Sequence, residues 1–250
     1  MRHKLIACEV LYRELSHCVA SSPHTVDHEH LPKGLHDIGA APMRDRLQEV
    51  IDRVDGSTYD VVLLGYALCN NGVAGLQARD IPLVLPRAHD CITLFLGSRQ
   101  RYDEVFREQQ GAYFLTSGWL ERGTASGEYT QLSVQRKTGM DMDFEEMVAK
   151  YGEENARYLQ EMLCDTLRNY SRCAYIHMGI EPPGRFEREA EEHAEAKGWP
   201  CARLEGDLRL LRQLVDGPPW PEEDFLVVPP GGRIVARFDE LIVDVEKPGD

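Results

Sequence analysis

Short apolar runs alternate with helical patterns along this chain, and the alternation constrains its fold more than any other feature. In the segment Asp60–Leu64, every residue after Asp60 is Val or Leu, which is typical of a strand buried on both faces. Within Pro42–Val54, apolar residues recur at i, i+3, i+4 and i+7 and predict a helix with one buried face. Repeated alternation of this kind predicts an α/β fold, Rossmann-like, with a mainly parallel sheet and helices on both faces.

The same patterns predict the positions of the other elements. Further strands are predicted at Lys4–Ala7, Leu83–Leu85, Gly111–Thr116, Cys173–Met178, Pro200–Leu204 and Phe225–Val228, with a terminal hairpin formed by Ile234–Phe238 and Leu241–Val245. Further helices are predicted at Gly72–Arg79, Ile92–Gly97, Ser98–Gln109, Asp143–Tyr170 with an interruption at Gly152, Gly184–Lys197 and Asp207–Val215. Two segments without apolar periodicity, His17–Asp37 and Glu121–Gly139, are predicted to be loops.

The long helical pattern from Asp143 to Tyr170 separates two series of strands and helices. It predicts an N-terminal α/β half over residues 1–140, which would carry the functional site, and a C-terminal α/β half over residues 141–250 that includes the linking helix. One continuous domain with a single extended sheet is the alternative. Both arrangements are consistent with a chain of 250 residues.

The chain is acidic, with 42 Asp and Glu residues against 28 Lys and Arg residues and a formal net charge of −14. No basic stripe accompanies this charge, so we expect neither nucleic acid nor a membrane surface as a partner. No apolar run approaches the roughly 20 residues that cross a bilayer, and the N-terminus lacks the pattern of a signal peptide. We therefore expect a cytoplasmic protein whose seven cysteines are thiols rather than disulfides.

Cysteines follow three of the strand-like runs, close to the point where each run ends. Cys8 follows the first run, Cys69 follows Asp60–Leu64, and the pair His89-x-Cys91 follows Leu83–Leu85. The carboxyl ends of parallel strands share one edge of a sheet, and ligands bind in the crevice there. The sequence therefore predicts a single site built from these side chains.

Mixed thiol and imidazole donors favour zinc, and we expect a zinc site with an open-site role. The predicted ligands are Cys8, Cys69, His89 and Cys91. If all four predicted ligands coordinate, substrate must expand the coordination sphere or displace one of them. The residues predicted to act in catalysis, or to surround the ligands, are Cys69, Asp90 and Glu9. An iron–sulfur cluster is the alternative metal centre. The alternatives without metal are a nucleophilic Cys69 or Cys91 and, more simply, three small buried thiols.

The segment Asn70-Asn71-Gly72 predicts a tight turn that leads directly into a helix. Backbone N–H groups at such a helix start could bind an anion or lower the pKa of Cys69. We therefore predict a cofactor contact at Asn70, Asn71 and Gly72. The segment matches neither a Walker loop nor G-x-G-x-x-G, which argues against a nucleotide.

Several other residues are assigned to the surroundings of this site or to the core. His28 and His30 could chelate a metal, and His36 is expected at the rim of the site. The segments Ser117–Trp119 and His177–Glu181 follow strands and could line a substrate pocket. The remaining cysteines are interpreted as structural: Cys18, Cys164, Cys173 and Cys201.

The chain resembles the DUF1638 family, a domain of unknown function. The similar stretches are Leu5–Leu15, Leu31–Asp37, Asp60–Leu76, Pro82–Gly97 and Tyr113–Leu120, with weaker similarity over Gly198–Gly217 and Phe225–Gly231. Members often accompany corrinoid-dependent methyltransferase systems, so the resemblance implies one-carbon metabolism. It also implies a corrinoid protein or a methyltransferase as partner. Those methyltransferases hold zinc through an H-x-C pair and a distant cysteine, and His89 and Cys91 are similar in local pattern, although the eight βα units of those enzymes are not visible here.

We therefore expect a metalloprotein, with zinc as its metal, that acts on a small molecule in methyl or thiol chemistry. Zinc would lower the pKa of a bound thiol or water and present it as a nucleophile. One alternative is a non-catalytic accessory protein that carries a metal or a corrinoid cofactor. The other is a metal-free enzyme with a cysteine nucleophile.

Overall fold

The computed structural model describes residues 1–122, 144–159 and 170–246. The strands of the described residues are β1 (Arg2–Cys8), β2 (Thr25–Leu31), β3 (Val61–Gly65), β4 (Leu83–Pro86), β5 (Ala112–Leu115), β6 (Arg172–His177), β7 (Cys201–Glu205), β8 (Phe225–Val228), β9 (Arg233–Ala236) and β10 (Val243–Glu246). The helices are α1 (Tyr12–Ser21), α2 (Ala40–Asp52), α3 (Cys91–Leu96), α4 (Arg99–Glu108), α5 (Ser117–Arg122), α6 (Phe144–Tyr151), α7 (Glu153–Leu159), α8 (Arg185–Glu195) and α9 (Arg209–Asp216).

The main sheet has the strand order β2-β1-β3-β4-β8. Its first four strands run parallel, and β8 pairs antiparallel with β4 at one edge. A second sheet, β5-β6-β7, is parallel throughout, and β9 and β10 form an antiparallel hairpin. The predicted α/β class with a mainly parallel sheet is therefore confirmed.

Strand β2 corrects the prediction of a loop over His17–Asp37, which in the structure holds the end of α1, β2 and a short 3₁₀ turn at Lys33–His36. The strand lies at the edge of the sheet and exposes or half-exposes most of its residues, so it carries no apolar run. Its acidic residues instead form ion pairs with β1, from Arg2 to Asp27 at 2.8 Å and from Lys4 to Glu29 at 3.0 Å.

The helix predicted at Gly72–Arg79 is also wrong, because this segment bonds to the C-terminal part of the chain. The Gly75 N–H donates to the Ile234 carbonyl at 2.7 Å, and the Ile234 N–H donates to the Leu76 carbonyl at 2.8 Å. The Ala78 N–H donates to the Gly232 carbonyl at 3.0 Å. Backbone groups that a helix would satisfy internally are satisfied here by a distant turn and strand.

The predicted interruption at Gly152 is confirmed, since this residue separates α6 from α7 with a φ of 78°. The second half of that predicted helix, Cys164, the proposed boundary at residue 140 and most of the predicted loop Glu121–Gly139 lie outside the described residues. The two predicted halves meet through strand pairs, because β8 joins β4 and β5 joins β6. A continuous apolar core contains buried residues of both sheets.

Arg87 holds the C-terminal strands against the main sheet. It follows β4, is 7% exposed, and its guanidinium donates to the backbone carbonyls of Glu222 at 2.8 Å and Leu241 at 3.0 Å. It also donates to the carbonyls of Phe225 and Val243. A buried cation is stabilised here by peptide dipoles, and β8 and the β9–β10 hairpin are fixed beside the end of β4.

Candidate functional site

Three cysteines lie at the carboxyl ends of three adjacent parallel strands. Cys8 is the last residue of β1, Cys69 follows β3 by four residues, and Cys91 begins α3 just after β4. The thiols of Cys8 and Cys91 both act electrostatically on Cys69, and Cys8 also acts on Cys91. We refer to these three residues as the thiol cluster.

The thiol cluster is largely buried. Cys8 and Cys69 are buried and Cys91 is partly exposed. Burial raises the pKa of Cys8 to about 12 and raises those of Cys69 and Cys91 well above the usual range. All three side chains are therefore neutral thiols at pH 7.

A cationic side chain lies beside the thiol cluster. The Lys33 ammonium, from the turn after β2, stands 4.2 Å from the ring centroid of Trp119 in α5. Burial lowers the Lys33 pKa, while Asp37 and the cysteines Cys8 and Cys91 act in the opposite direction. Trp119 lies close to Cys91, and its effect on the Cys91 pKa opposes the larger effect of burial.

The structure does not place His89 with the thiol cluster. Its side chain is exposed and lines a surface groove of about 860 Å³ together with Thr93, Arg99, Arg209 and Phe238, among others. Its backbone contacts the cluster, where the His89 carbonyl accepts from the Cys69 N–H at 3.0 Å. Among the described residues, no three His, Cys, Asp or Glu side chains are already arranged to hold a metal ion.

Asp90 forms hydrogen bonds at the start of α3. Its carboxylate accepts from the N–H groups of Ile92 at 3.0 Å and Thr93 at 3.4 Å, and from the Tyr102 hydroxyl at 3.1 Å. This is an N-cap, which satisfies backbone donors that the helix leaves without partners. It fixes the position of Cys91, the first residue of that helix.

Glu9 has a similar positioning role beside Cys8. Its carboxylate accepts from the Lys33 N–H at 2.8 Å and lies 3.7 Å from the Arg122 guanidinium. Glu9 thereby connects the end of β1 to the turn that carries Lys33. The catalytic roles predicted for Glu9 and Asp90 stay predictions.

The turn after β3 has an unusual backbone. Cys69, Asn70 and Asn71 have positive φ values of 47°, 55° and 65°. Asn tolerates this region, but Cys does so only at a cost of about 1–2 kcal/mol. A Cβ on Gly72 would lie 2.3 Å from the Met43 sulfur, so glycine allows the buried Met43 side chain to pack closely against this turn.

The described residues contain no helix directly after this turn. The anion site predicted at Asn70, Asn71 and Gly72 depends on the N–H groups that a helix start exposes, so the argument for it no longer applies. The expectation that the turn lowers the pKa of Cys69 is wrong, because burial raises it. The chain folds into turns here because its backbone bonds to the strand near Ile234, as described above. A cofactor contact at these three residues stays a prediction.

A second polar cluster, which the sequence analysis missed in part, lies between α1 and the second sheet. Glu14 is fully buried, and burial raises its pKa to about 7. The Ser117 hydroxyl donates to one of its carboxylate oxygens at 3.4 Å, and the other oxygen has no partner among the described residues. The sequence does carry a signal, since Glu14 shares the buried face of α1 with Leu15 and Cys18.

Glu181 lies near enough to Glu14 to add to the rise in its pKa, but the pKa of Glu181 itself is shifted in the opposite direction. Its carboxylate accepts from the Tyr175 hydroxyl and from the Met178 N–H, both at 2.9 Å, and lies 3.2 Å from His177 Nδ1. Burial opposes ionisation of Glu181, but hydrogen bonds from the Tyr175 hydroxyl and from the N–H groups of Met178, Ile180 and Glu181 itself together lower its pKa. In enzymes, two neighbouring carboxyl groups whose pKa values are shifted apart, as those of Glu14 and Glu181 are, often serve as general acid and general base.

The remaining predicted histidines are distributed along β2 and the following turn. His28 and His30 lie two residues apart on β2, with their Nδ1 atoms 3.4 Å apart. Burial lowers the pKa of His30 and of His36, each to about 4, so both rings are neutral at pH 7. His36 belongs to the same turn as Lys33.

The family model described as a protein of unknown function (DUF1638) matches residues 30–215. The match includes Cys69 and Cys91 but not Cys8. The search of curated proteins and the search of solved structures both gave no match. No helix in the described part of the chain is long and apolar enough to span a membrane.

Proposed function

We propose that this chain, which belongs to the DUF1638 family, is a zinc-binding protein whose ligands are Cys8, Cys69 and Cys91. The observation that carries the proposal is that three thiols from three adjacent strand ends lie at one largely buried edge of the sheet. Cysteine thiolates are preferred zinc ligands, and three protein ligands leave the fourth position for a substrate thiol or water. The site would then be of the open, catalytic kind.

The donor set suits zinc, but the side chains must close around the ion, because no three donors are yet in place among the described residues. Changes of rotamer can move the sulfurs without moving the strands. The raised pKa values imply that binding releases protons from the thiols. Zinc with three thiolates carries one net negative charge, which the Lys33 ammonium is positioned to balance.

When bound, zinc would activate a coordinated thiol or water as a nucleophile for methyl or alkyl transfer. The residues of this chain would prepare the place for that step. Lys33 would stabilise negative charge at the cluster, Trp119 would cover Cys91, and Glu9 would hold the turn that carries Lys33. The family resemblance favours a corrinoid protein or a methyltransferase as the partner. If the protein is not an enzyme, the same site would serve to carry a metal or a corrinoid cofactor.

A second candidate function is metal-free chemistry at Lys33. The observation that favours it is the position of this amine over Trp119 and beside Cys8 and Cys91. The neutral Lys33 amine can attack a carbonyl carbon and form a Schiff base, with the carbonyl oxygen and two protons leaving as water.

Metal analysis of anaerobically purified protein separates the two candidates. We expect one zinc per chain in the wild type and in Cys18→Ala, a matched variant at a buried cysteine outside the cluster, and loss of zinc in Cys69→Ala and Cys91→Ala. His89→Ala should retain the metal. If His89→Ala loses it, the three-thiol ligand set is wrong.

A wild-type protein that contains no metal and takes up no added zinc would contradict the first candidate. Borohydride reduction in the presence of a simple aldehyde then tests the second one. Selective labelling of Lys33, compared with a Lys33→Arg variant, would support it, and equal labelling of other lysines would reject it.

A further inference from the structure

Cys173 and Cys201 lie directly opposite each other in the second sheet. Cys173 in β6 is the register partner of Cys201 in β7. Cys173 is completely buried, whereas Cys201 is exposed, on the edge strand of that sheet. We propose that these two residues form a reversible disulfide, which makes this strand pair a thiol-oxidation site for peroxides and small disulfides.

The strand spacing permits the bond. Neighbouring strands lie about 4.7–4.9 Å apart, and disulfides join Cα atoms roughly 4.4–6.8 Å apart. Register partners also direct their side chains to the same face of a sheet. The two thiols interact here, since burial raises the pKa of Cys173 to about 12 and a hydrogen bond with Cys201 adds to the effect.

The contrast in exposure assigns the order of the two steps. With hydrogen peroxide, the Cys201 thiolate attacks one oxygen, the O–O bond breaks, and the released hydroxide takes up a proton to form water. The Cys173 sulfur then attacks the sulfur of the Cys201 sulfenic acid, the S–O bond breaks, and the departing hydroxide takes the Cys173 proton. Two thiols are oxidised to a disulfide, and one peroxide is reduced to two waters.

The site is separate from the thiol cluster. Cys173 and Cys201 lie at the amino ends of β6 and β7, in a different sheet from the strands that carry Cys8, Cys69 and Cys91. Cys201 begins an edge strand, so a disulfide there would remain accessible to reductants. Exposed disulfides are the labile, regulatory kind.

Peptide mapping after oxidation of the full chain tests the proposal. Trypsin releases Cys173 on residues 173–185 and Cys201 on residues 198–203. After hydrogen peroxide treatment we expect these two peptides to be joined, with the loss of two hydrogens, and to separate on reduction with dithiothreitol. Cys18→Ala should form the same link.

The single variants examine the order of the steps. Cys201→Ser should leave Cys173 reduced under the same treatment, because no exposed thiol starts the reaction. Cys173→Ser should accumulate sulfenic acid at Cys201, which a dimedone probe detects. Irreversible oxidation of Cys201 beside a reduced Cys173 in the wild type, or a link from Cys201 to another cysteine, would overturn the proposal.

Discussion

Glu14 shows at the scale of a single residue how burial changes chemistry. It is fully buried, its second carboxylate oxygen has no partner among the described residues, and burial raises its pKa to about 7. Glu181 lies close by but accepts several hydrogen bonds, so its pKa falls. The difference comes from the number of donors that reach each carboxylate, which depends on tertiary contacts.

Glu14→Gln is expected to change the pH dependence of stability. The folded state retains a proton on Glu14 that the unfolded state has released, so the free energy of unfolding of the wild type should fall as pH rises from about 4.5 through about 7. The glutamine variant lacks this loss. Its stability relative to wild type should therefore rise by about 3 kcal/mol between roughly pH 4 and pH 8.

Urea denaturation at a series of pH values measures this difference. Glu104→Gln provides the control, because the Glu104 side chain is exposed on α4 and pairs with surface groups of the same helix. A Glu14→Gln variant whose stability parallels the wild type at every pH would show that Glu14 is ionised normally.

Caps and close approaches decide how the site is assembled at the scale of elements. Asp90 caps α3 and so places Cys91, the first residue of that helix. Gly118 lets α5 lie directly against the chain after β1, since a Cβ there would lie 1.8 Å from the Val10 carbonyl oxygen. Each contact fixes an element that carries a residue of the candidate site, Cys91 in α3 and Trp119 in α5.

Asp90→Ala is expected to lower the free energy of unfolding by about 0.5–2 kcal/mol, because α3 loses its N-cap. Asp90→Asn keeps a side-chain oxygen that accepts from the same N–H groups and should retain most of the stability. Chemical denaturation of both variants measures the effect. If both variants lose the same free energy of unfolding, the stabilisation comes from the negative charge of Asp90 and not from its N-cap hydrogen bonds.

Gly118→Ala is expected to destabilise the protein because the added methyl group meets backbone, which cannot move as a side chain does. Overpacking of this kind costs about 1–3 kcal/mol or more. Gly56→Ala is the matched control, since its Cβ would lie 3.2 Å from the Asp80 Cβ and should cost less. Thermal denaturation of both variants is the measurement, and a larger loss in Gly56→Ala would contradict the expectation.

Contacts between distant parts of the chain hold the whole molecule together. Arg87 connects the end of β4 to β8 and to the C-terminal hairpin, and the segment near Gly75 bonds to Ile234. Arg87 and Gly75 lie in the N-terminal segments that carry Cys69 and Cys91, and their partners lie in or beside β8, β9 and β10. The C-terminal part of the chain therefore supports the N-terminal site without contributing a cysteine to it.

Arg87→Met is expected to loosen the β9–β10 hairpin, because backbone carbonyls such as that of Leu241 lose a charged donor. Hydrogen exchange of residues 233–246 should become faster than in the wild type. Arg79→Met is the control, since Arg79 is exposed and pairs with Asp52, a contact worth at most about 1 kcal/mol. Unchanged exchange in Arg87→Met would show that other contacts hold the hairpin.

The sequence by itself determined the α/β class and most of the strands and helices. It also identified the three cysteines that lie at the carboxyl edge of the main sheet. Apolar periodicity reports which faces of an element are buried, so it identified β3, α2 and the break at Gly152. It could not identify β2, because an edge strand held by ion pairs carries no apolar run.

Only the tertiary structure decided which side chains meet. The tertiary structure directed His89 into a surface groove away from the thiol cluster and brought Lys33 and Trp119 to that cluster. It also buried Glu14 near Glu181. These outcomes depend on strand order, on turn conformation and on the direction of individual side chains. Such quantities are set by contacts between residues far apart in the chain, which local sequence patterns do not encode.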